Sequence, residues 1–284
     1  MRRTTVKIPA KINLTLDVVG VKEGFHTLKT LVASISVYDK ITVSKRADNK
    51  ITLCFKGYSP DCALEDNNAY KGANLFIKTF NTAGVDIVID KGIALCGGMG
   101  GSSADIAGVL KAMKKLFGVK ESVGALATAL GSDAEYMLNG GFAVLEGRGE
   151  IITPIKTNAK LYLLLITEEV EKAKLVTAKD CYKKFDVKGE NYPSQTTAAE
   201  QLLKERDYDA LFRVLKNDLY PSAKELLPEI ETNLAALKNY GSAVMTGSGA
   251  TVVGVYKTAK ERNCVYKKLK TTYGERVIKA KTVN

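Results

Sequence analysis

The stretch Ala94-Leu95-Cys96-Gly97-Gly98-Met99-Gly100-Gly101-Ser102-Ser103-Ala104-Asp105 constrains this chain more than any other. Its glycines and serines run directly into Ile106, Val109, Leu110, Met113, Leu116 and Phe117, a helical apolar spacing. The glycines therefore sit at the N-terminus of an amphipathic helix. Glycine lets a backbone take positive φ and approach a ligand closely. The first N–H groups of a helix have no internal partners, and the helix dipole makes that end electropositive. Loop and helix together form a cradle for phosphate oxygens. Ser102 and Ser103 add hydroxyls that can cap the helix, meet a phosphate or ligate Mg²⁺. Neither G-x-x-x-x-G-K-[ST] nor G-x-G-x-x-G is present, so this is neither of the two commonest phosphate loops.

The context fits. Val85-Asp86-Ile87-Val88-Ile89 alternates as a strand feeding the loop. Upstream, residues 6–18 alternate from Ile12 onward and predict one half-buried strand, on which Lys11 and Asn13 share a side. A turn follows at Lys22-Glu23-Gly24, and residues 31–38, 41–44 and 51–55 read as further strands. A helix is expected over 67–80, with Asp66 or Asn67 as its cap. Downstream come a short helix over 122–130, a turn at Asn139-Gly140-Gly141 and a strand over 142–146. A domain boundary is expected near 154–159, giving regions 1–155 and 156–284. The second region opens on the apolar strand 161–166. Two or three helices follow, then the strand 243–245, a second glycine turn over 246–250 and a strand over 251–256. Strands and helices without strict alternation argue an α+β fold.

At 284 residues with 45% apolar side chains, the chain can bury substantial cores. It contains no run of eighteen apolar residues, and the start lacks an apolar signal core, so no membrane association and a cytoplasmic location are expected. Five scattered cysteines without a C-x-x-C pair imply neither a disulfide framework nor a zinc site. The formal charge of +11 admits nucleic acid or anionic small molecules as partners. Much of the excess follows residue 257, around Val265, Tyr266 and Leu269, and reads as the wet face of a terminal helix. No nucleic-acid partner is therefore expected.

A phosphate loop needs a group that activates the attacking nucleophile. Strand geometry and glycine turns expose Lys11, Asn13, His26, Asp133 and Glu146. A carboxylate can accept the proton of a substrate hydroxyl while a nearby ammonium keeps it ionised. Lys11 with Asp133 fits that arrangement. His26 is the only histidine, so no histidine base remains for a Ser-His-Asp triad. Phe25-His26 suits base stacking with an edge hydrogen bond.

The loop Gly97-Gly98-Met99-Gly100-Gly101-Ser102-Ser103-Ala104 resembles the G-L-G-S-S-A phosphate loop of the GHMP kinases. Pro9-Ala10-Lys11-Ile12-Asn13-Leu14 and Gly24-Phe25-His26 are similar to one branch of that family, which phosphorylates the 2-hydroxyl of diphosphocytidyl-methylerythritol. Asp66-Asn67, Leu130-Gly131-Ser132-Asp133, the segment 146–150 and Met245-Thr246-Gly247-Ser248-Gly249 follow in the family's order. Ala94-Leu95 and Glu135 stand where relatives usually carry prolines.

The resemblance implies a ribosomal protein S5 domain 2-like N-terminal domain and a ferredoxin-like C-terminal domain. It implies ATP and Mg²⁺ as cofactors and a small-molecule alcohol as acceptor, in a monomer or homodimer. Asp133 would be the base and Lys11 its charge partner. Gly97, Gly98, Gly100, Gly101, Ser102 and Ser103 would hold the ATP phosphates, with Ser102 or Ser103 near the metal and Asn67 near the nucleotide. Asn13 would face the polyol. His26 would bond cytosine, between Phe25 and Tyr182, and Gly247, Ser248 and Gly249 would close over the substrate. The alternatives are a GHMP kinase for another alcohol and a basic nucleic-acid-binding protein.

Overall fold

The computed structural model describes residues 2–57, 62–188 and 193–284. In chain order the elements begin with β1 (Arg3–Asn13), β2 (Thr15–Lys22), β3 (Phe25–Lys45), β4 (Ile51–Lys56), α1 (Asn68–Phe80) and β5 (Val85–Asp90). They continue with α2 (Gly101–Phe117), α3 (Gly124–Thr128), α4 (Ala134–Asn139), β6 (Phe142–Gly147), β7 (Ile151–Ile155) and β8 (Tyr162–Ile166). Next come α5 (Val170–Ala173), α6 (Ala178–Lys188), α7 (Thr196–Glu205), α8 (Tyr208–Arg213), the short β9 (Lys216–Asn217), α9 (Tyr220–Leu226) and α10 (Glu229–Lys238). The chain continues through β10 (Ser242–Met245), β11 (Val252–Tyr256), α11 (Ala259–Tyr273) and β12 (Val277–Lys281). No helix among the described residues is long and apolar enough to cross a membrane.

Three expectations are corrected. The strand expected over 6–18 is two strands, β1 and β2, meeting at Leu14. The segments 31–38 and 41–44 belong to the single strand β3, because Tyr38-Asp39-Lys40 continues in extended backbone. Among the described residues, six short helices lie between β8 and β10 rather than two or three. Short length and frequent polar residues there hide separate helices from a periodicity argument.

The chain forms two compact units interleaved in sequence. The first comprises Met1–Ala10, Val37–Ile93 and Gly100–Asn139. In it, β5 runs antiparallel to the end of β3, pairing Ile41 with Ile89 and Val43 with Ile87, and parallel to β4. Ile41, Val43, Val85, Ile87 and Ile89 are fully buried, as are Phe76 of α1 and Val109, Leu110 and Met113 of α2. Burying each such large side chain contributes about 1.5–3 kcal/mol. Asn67 caps α1, its side chain accepting from Ala69 N at 2.9 Å.

The second unit comprises Lys11–Ser36, Ala94–Met99 and Gly140–Asn284. Here β2 and β3 form a hairpin whose turn residues Glu23 (φ 53°) and Gly24 (φ 77°) are both left-handed, as a two-residue type I′ turn requires. β3 also pairs antiparallel with β6, and β6 with β7. A second, fully antiparallel sheet has the order β10-β11-β8-β12. With helices between β8 and β10 and with α11 between β11 and β12, this is a βαββαβ ferredoxin-like arrangement. Val265 and Leu269 hold α11 against the core of this unit, while Lys267 and Lys268 remain exposed.

One contact makes the α2 packing measurable. A Cβ on Gly108 would lie 2.5 Å from Ile41 Cδ1 and 3.1 Å from Ile8 Cγ1. Helix propensity alone would reward Gly108→Ala by about 1 kcal/mol, but overpacking a closed core costs about 1–3 kcal/mol. The variant is expected to be less stable by about 1 kcal/mol in urea unfolding. A more stable variant would mean that Ile41 has room to move.

Candidate active site

The helix α2 begins at the glycine loop, as its spacing predicts. Its N-cap is Gly100, in the left-handed conformation (φ 75°, ψ 24°), and no side chain caps it. A serine or aspartate N-cap would have occupied one of the first helical N–H groups. Glycine at that position leaves them without a side-chain cap. Ser102 on the first turn accepts a hydrogen bond from Asn68 Nδ2 at 2.5 Å. Ser103 lies on the same turn, half-buried. Asp133 immediately precedes α4, half-buried, and its carbonyl accepts from Met137 N.

Under this first turn lies a charge cluster that the sequence reading did not single out. Lys91 Nζ donates to Asp39 Oδ2 at 2.5 Å and to both oxygens of Asp105 at 3.0 Å. Asp39 is fully buried, and its other oxygen accepts from Gly92 N and Ile93 N. Lys91 thereby ties the end of β5 to β3 and to the start of α2. Burial pushes the Asp105 carboxyl up to about 7; the Lys91 ammonium opposes that rise and Asp39 adds to it.

In the second unit, one amide organises the polar residues. Asn13 Oδ1 accepts from Lys11 Nζ at 2.9 Å, from Gly247 N at 3.0 Å and from Thr246 Oγ1 at 3.2 Å. Its Nδ2 donates to Thr30 Oγ1 at 2.8 Å, and its backbone N donates to Thr246 Oγ1 at 3.0 Å. Lys11 and Asn13 share a side, as strand alternation requires, but both are buried and not exposed as expected, because the 246–247 turn and Thr30 pack on that side. The backbone N of Lys11 also bonds Met99 O. Lys11 belongs to the second unit and Asp133 to the first.

The two glycine turns meet backbone to backbone. A Cβ on Gly98 would lie 2.3 Å from Thr246 O, and one on Gly247 would lie 2.7 Å from Gly98 O. Both glycines also have positive φ, 69° and 57°. No other residue satisfies both demands. Ala250 N bonds Cys96 O, and the Gly249–Ala250 peptide is cis. Asn217, which the sequence reading missed, donates from Nδ2 to the carbonyls of Met245 and Gly247, both at 2.8 Å. Ser248 O accepts from the buried Cys181 thiol.

The hairpin places Phe25 and His26 at the start of β3, with His26 opposite Val21. Beyond Val21 a register shift between Val18 and Gly20 increases the local twist. His26 stacks on Tyr182 of α6, ring centroids 4.6 Å apart and planes 16° from parallel, with Phe185 edge-on at 6.1 Å. Phe25 is half exposed, and the Arg148 guanidinium lies over its ring at 4.0 Å. Glu146 pairs with Lys29 at 3.4 Å. Thr30, Asn68, Lys91, Asp105, Phe185 and Asp186 were not foreseen. Asp105, written into the phosphate-loop helix just after the serines, was the one such residue with a local signal.

Residues 67–145 match the model of the GHMP kinases N terminal domain, and 199–275 match that of the GHMP kinases C terminal domain. The chain belongs to the GHMP kinase family. Within that family it is similar to the 4-diphosphocytidyl-2-C-methyl-D-erythritol kinase of Clostridium beijerinckii, 33% identical over 94% of this chain and 96% of the relative. The kinase of the same name from Cutibacterium acnes is 34% identical over 87% of this chain and 84% of its own. Among solved structures, a 4-(cytidine 5'-diphospho)-2C-methyl-D-erythritol kinase superposes with a TM-score of 0.76 at 26% identity, covering 99% of this chain and 100% of its own. A mevalonate kinase from L. major shares the fold, with a TM-score of 0.72 at 17% identity over 99% of this chain and 97% of its own.

The Asp105 cluster makes a pH prediction. The folded protein holds the Asp105 proton far more tightly than the unfolded chain, whose carboxyl has the ordinary value of 3.8. Its favourable contribution is therefore greatest below about pH 4 and is lost as pH rises to about 7. Asp105→Asn abolishes that titration. Between about pH 5 and about pH 8 the stability difference should shift in the variant's favour by on the order of 1 kcal/mol or more, read from urea unfolding. A pH-independent difference would show that Lys91 keeps Asp105 ionised throughout.

Proposed function

We propose that this protein transfers the γ-phosphoryl group of ATP to the 2-hydroxyl of 4-diphosphocytidyl-2-C-methyl-D-erythritol. The observation that carries the reading is the uncapped, glycine-led N-terminus of α2, built for anionic oxygens, in a chain whose relatives bear that kinase's name along nearly their whole length. The residues fit the nucleotide. Gly100 leaves the first turn of α2 without a side-chain cap, Ser102 and Ser103 present hydroxyls there, and Gly97, Gly98 and Gly101 would offer backbone N–H groups to the phosphates. Ser102 or Ser103 would hold Mg²⁺, an ion that takes oxygen ligands and keeps several waters. Asn67 would lie near the nucleotide. Bound Mg²⁺ supplies charge neutralisation for the phosphate oxygens.

In this reading Asp133 accepts the proton of the attacking hydroxyl. Lys11, fixed by Asn13, supplies positive charge that keeps the base ionised and balances charge building on the transferring group. Asn13 orients the polyol. Gly247, Ser248 and Gly249 close over the substrate and phosphates, and His26, Phe25 and Tyr182 receive the cytosine. Phosphoryl transfer asks mainly for positioning and charge stabilisation, which a rigid pair of glycine turns provides. We assign the nucleotide half to residues 1–155 and the remainder to 156–284, a boundary falling between the two family matches.

The test is ATP consumption with Mg²⁺ and diphosphocytidyl-methylerythritol, run beside mevalonate, homoserine and galactose. Turnover confined to the cytidyl substrate is expected. Turnover of another alcohol instead would keep the kinase chemistry and discard the pocket. With the preferred substrate, Asp133→Asn should lower kcat at least about 100-fold with little change in KM for ATP. Near-normal turnover in that variant would remove Asp133 from the mechanism.

A further inference from the structure

The environment of His26 is more specified than ring stacking requires. Its Nε2 lies 2.6 Å from Asp186 Oδ1. The two side chains are 13% and 57% exposed, so the imidazole is confined while the carboxylate reaches solvent. The stack on Tyr182 fixes the plane of the ring, and Phe185 closes against its edge. Rotation of the imidazole is thereby restricted.

We propose that Asp186 is a positioning residue that fixes the tautomer of His26 and thereby makes the site select an amine-bearing pyrimidine over a carbonyl-bearing one. An ionised carboxylate is only an acceptor, so the hydrogen bond requires the proton on Nε2. In the neutral ring the other nitrogen, Nδ1, is then an acceptor. Cytosine presents an N4 amine donor at the position where uracil presents an O4 acceptor. An Nδ1 lone pair accepts from the first and opposes the second. Without Asp186 nothing fixes the proton, and a ring with the proton on Nδ1 would greet uracil as readily.

This inference rests on the proposed cytidyl substrate, but its first test does not. His26 is the chain's only histidine, so a long-range ¹⁵N–¹H correlation spectrum of the protein contains a single imidazole. At about pH 8, where an ordinary histidine is neutral, the wild type is expected to show Nε2 protonated. Asp186→Ala should give a mixture of tautomers. A wild-type spectrum with the proton on Nδ1, or one unchanged by Asp186→Ala, overturns the assignment.

The second test compares kcat/KM for diphosphocytidyl-methylerythritol and its uridine counterpart. The wild type should prefer the cytidyl compound by at least about 100-fold, and Asp186→Ala should cut that preference at least about tenfold. Equal losses on both substrates would reduce Asp186 to packing and overturn its part in selection. Absence of turnover with the cytidyl compound would overturn the proposed function and the selection role with it, while the spectrum separately decides the tautomer.

Discussion

Much of the polar architecture of the second unit depends on the carboxamide of Asn13. It is buried, and a buried amide left without partners costs about 1–3 kcal/mol. Here its oxygen serves an ammonium, a hydroxyl and a backbone N–H, while its nitrogen finds Thr30. The geometry is over-determined: Lys11 is held by Asn13, Asn13 by Thr246, and Thr246 also bonds Gly98 O at 3.3 Å. A lysine side chain ordinarily loses much rotamer freedom when fixed. In this unit that ordering is carried by a network already required to satisfy the amide.

The first unit solves a different electrostatic problem. Two carboxylates share the single ammonium of Lys91 in a buried setting. A pair alone would be neutral, and the third member leaves an excess negative charge unless a proton is taken up. Asp39 relieves part of this through two backbone N–H groups, and Asp105 relieves it by holding its proton to higher pH. The cluster lies where the positive end of α2 begins, so the first turn of that helix starts beside a group whose own charge is proton-dependent.

What could be read in the sequence was local. Glycines before an apolar-periodic run announced α2, alternation announced that Lys11 and Asn13 share a side, and Lys22-Glu23-Gly24 announced the turn that precedes Phe25 and His26. Long-range partners were silent. Thr246 reads as a turn residue until Asn13 is found against it, 233 positions away. Asp186 reads as one more charge on a polar helix until His26 is found beside it, 160 positions away. Lys91 reads as the solvated end of a strand, because its burial is conferred by Asp39 and Asp105 and not by its neighbours. The helices between β8 and β10 were undercounted for a related reason: short helices of mixed polarity are stabilised by what they pack on, which periodicity does not contain.

The interleaving of the two units has a consequence in time. A ribosome emits Asn13 ahead of Thr246 by 233 residues, at about 5–20 residues per second. All three segments of the first unit are synthesised by residue 139, well before the second unit is complete. Asn13 waits roughly 10–50 seconds of synthesis, and the glycine loop at 97–98 roughly 7–30 seconds, for the turn that will lock them. The contacts that fix Asn13, and with it the lysine beside it, are thus completed only after a loop closure of 233 residues.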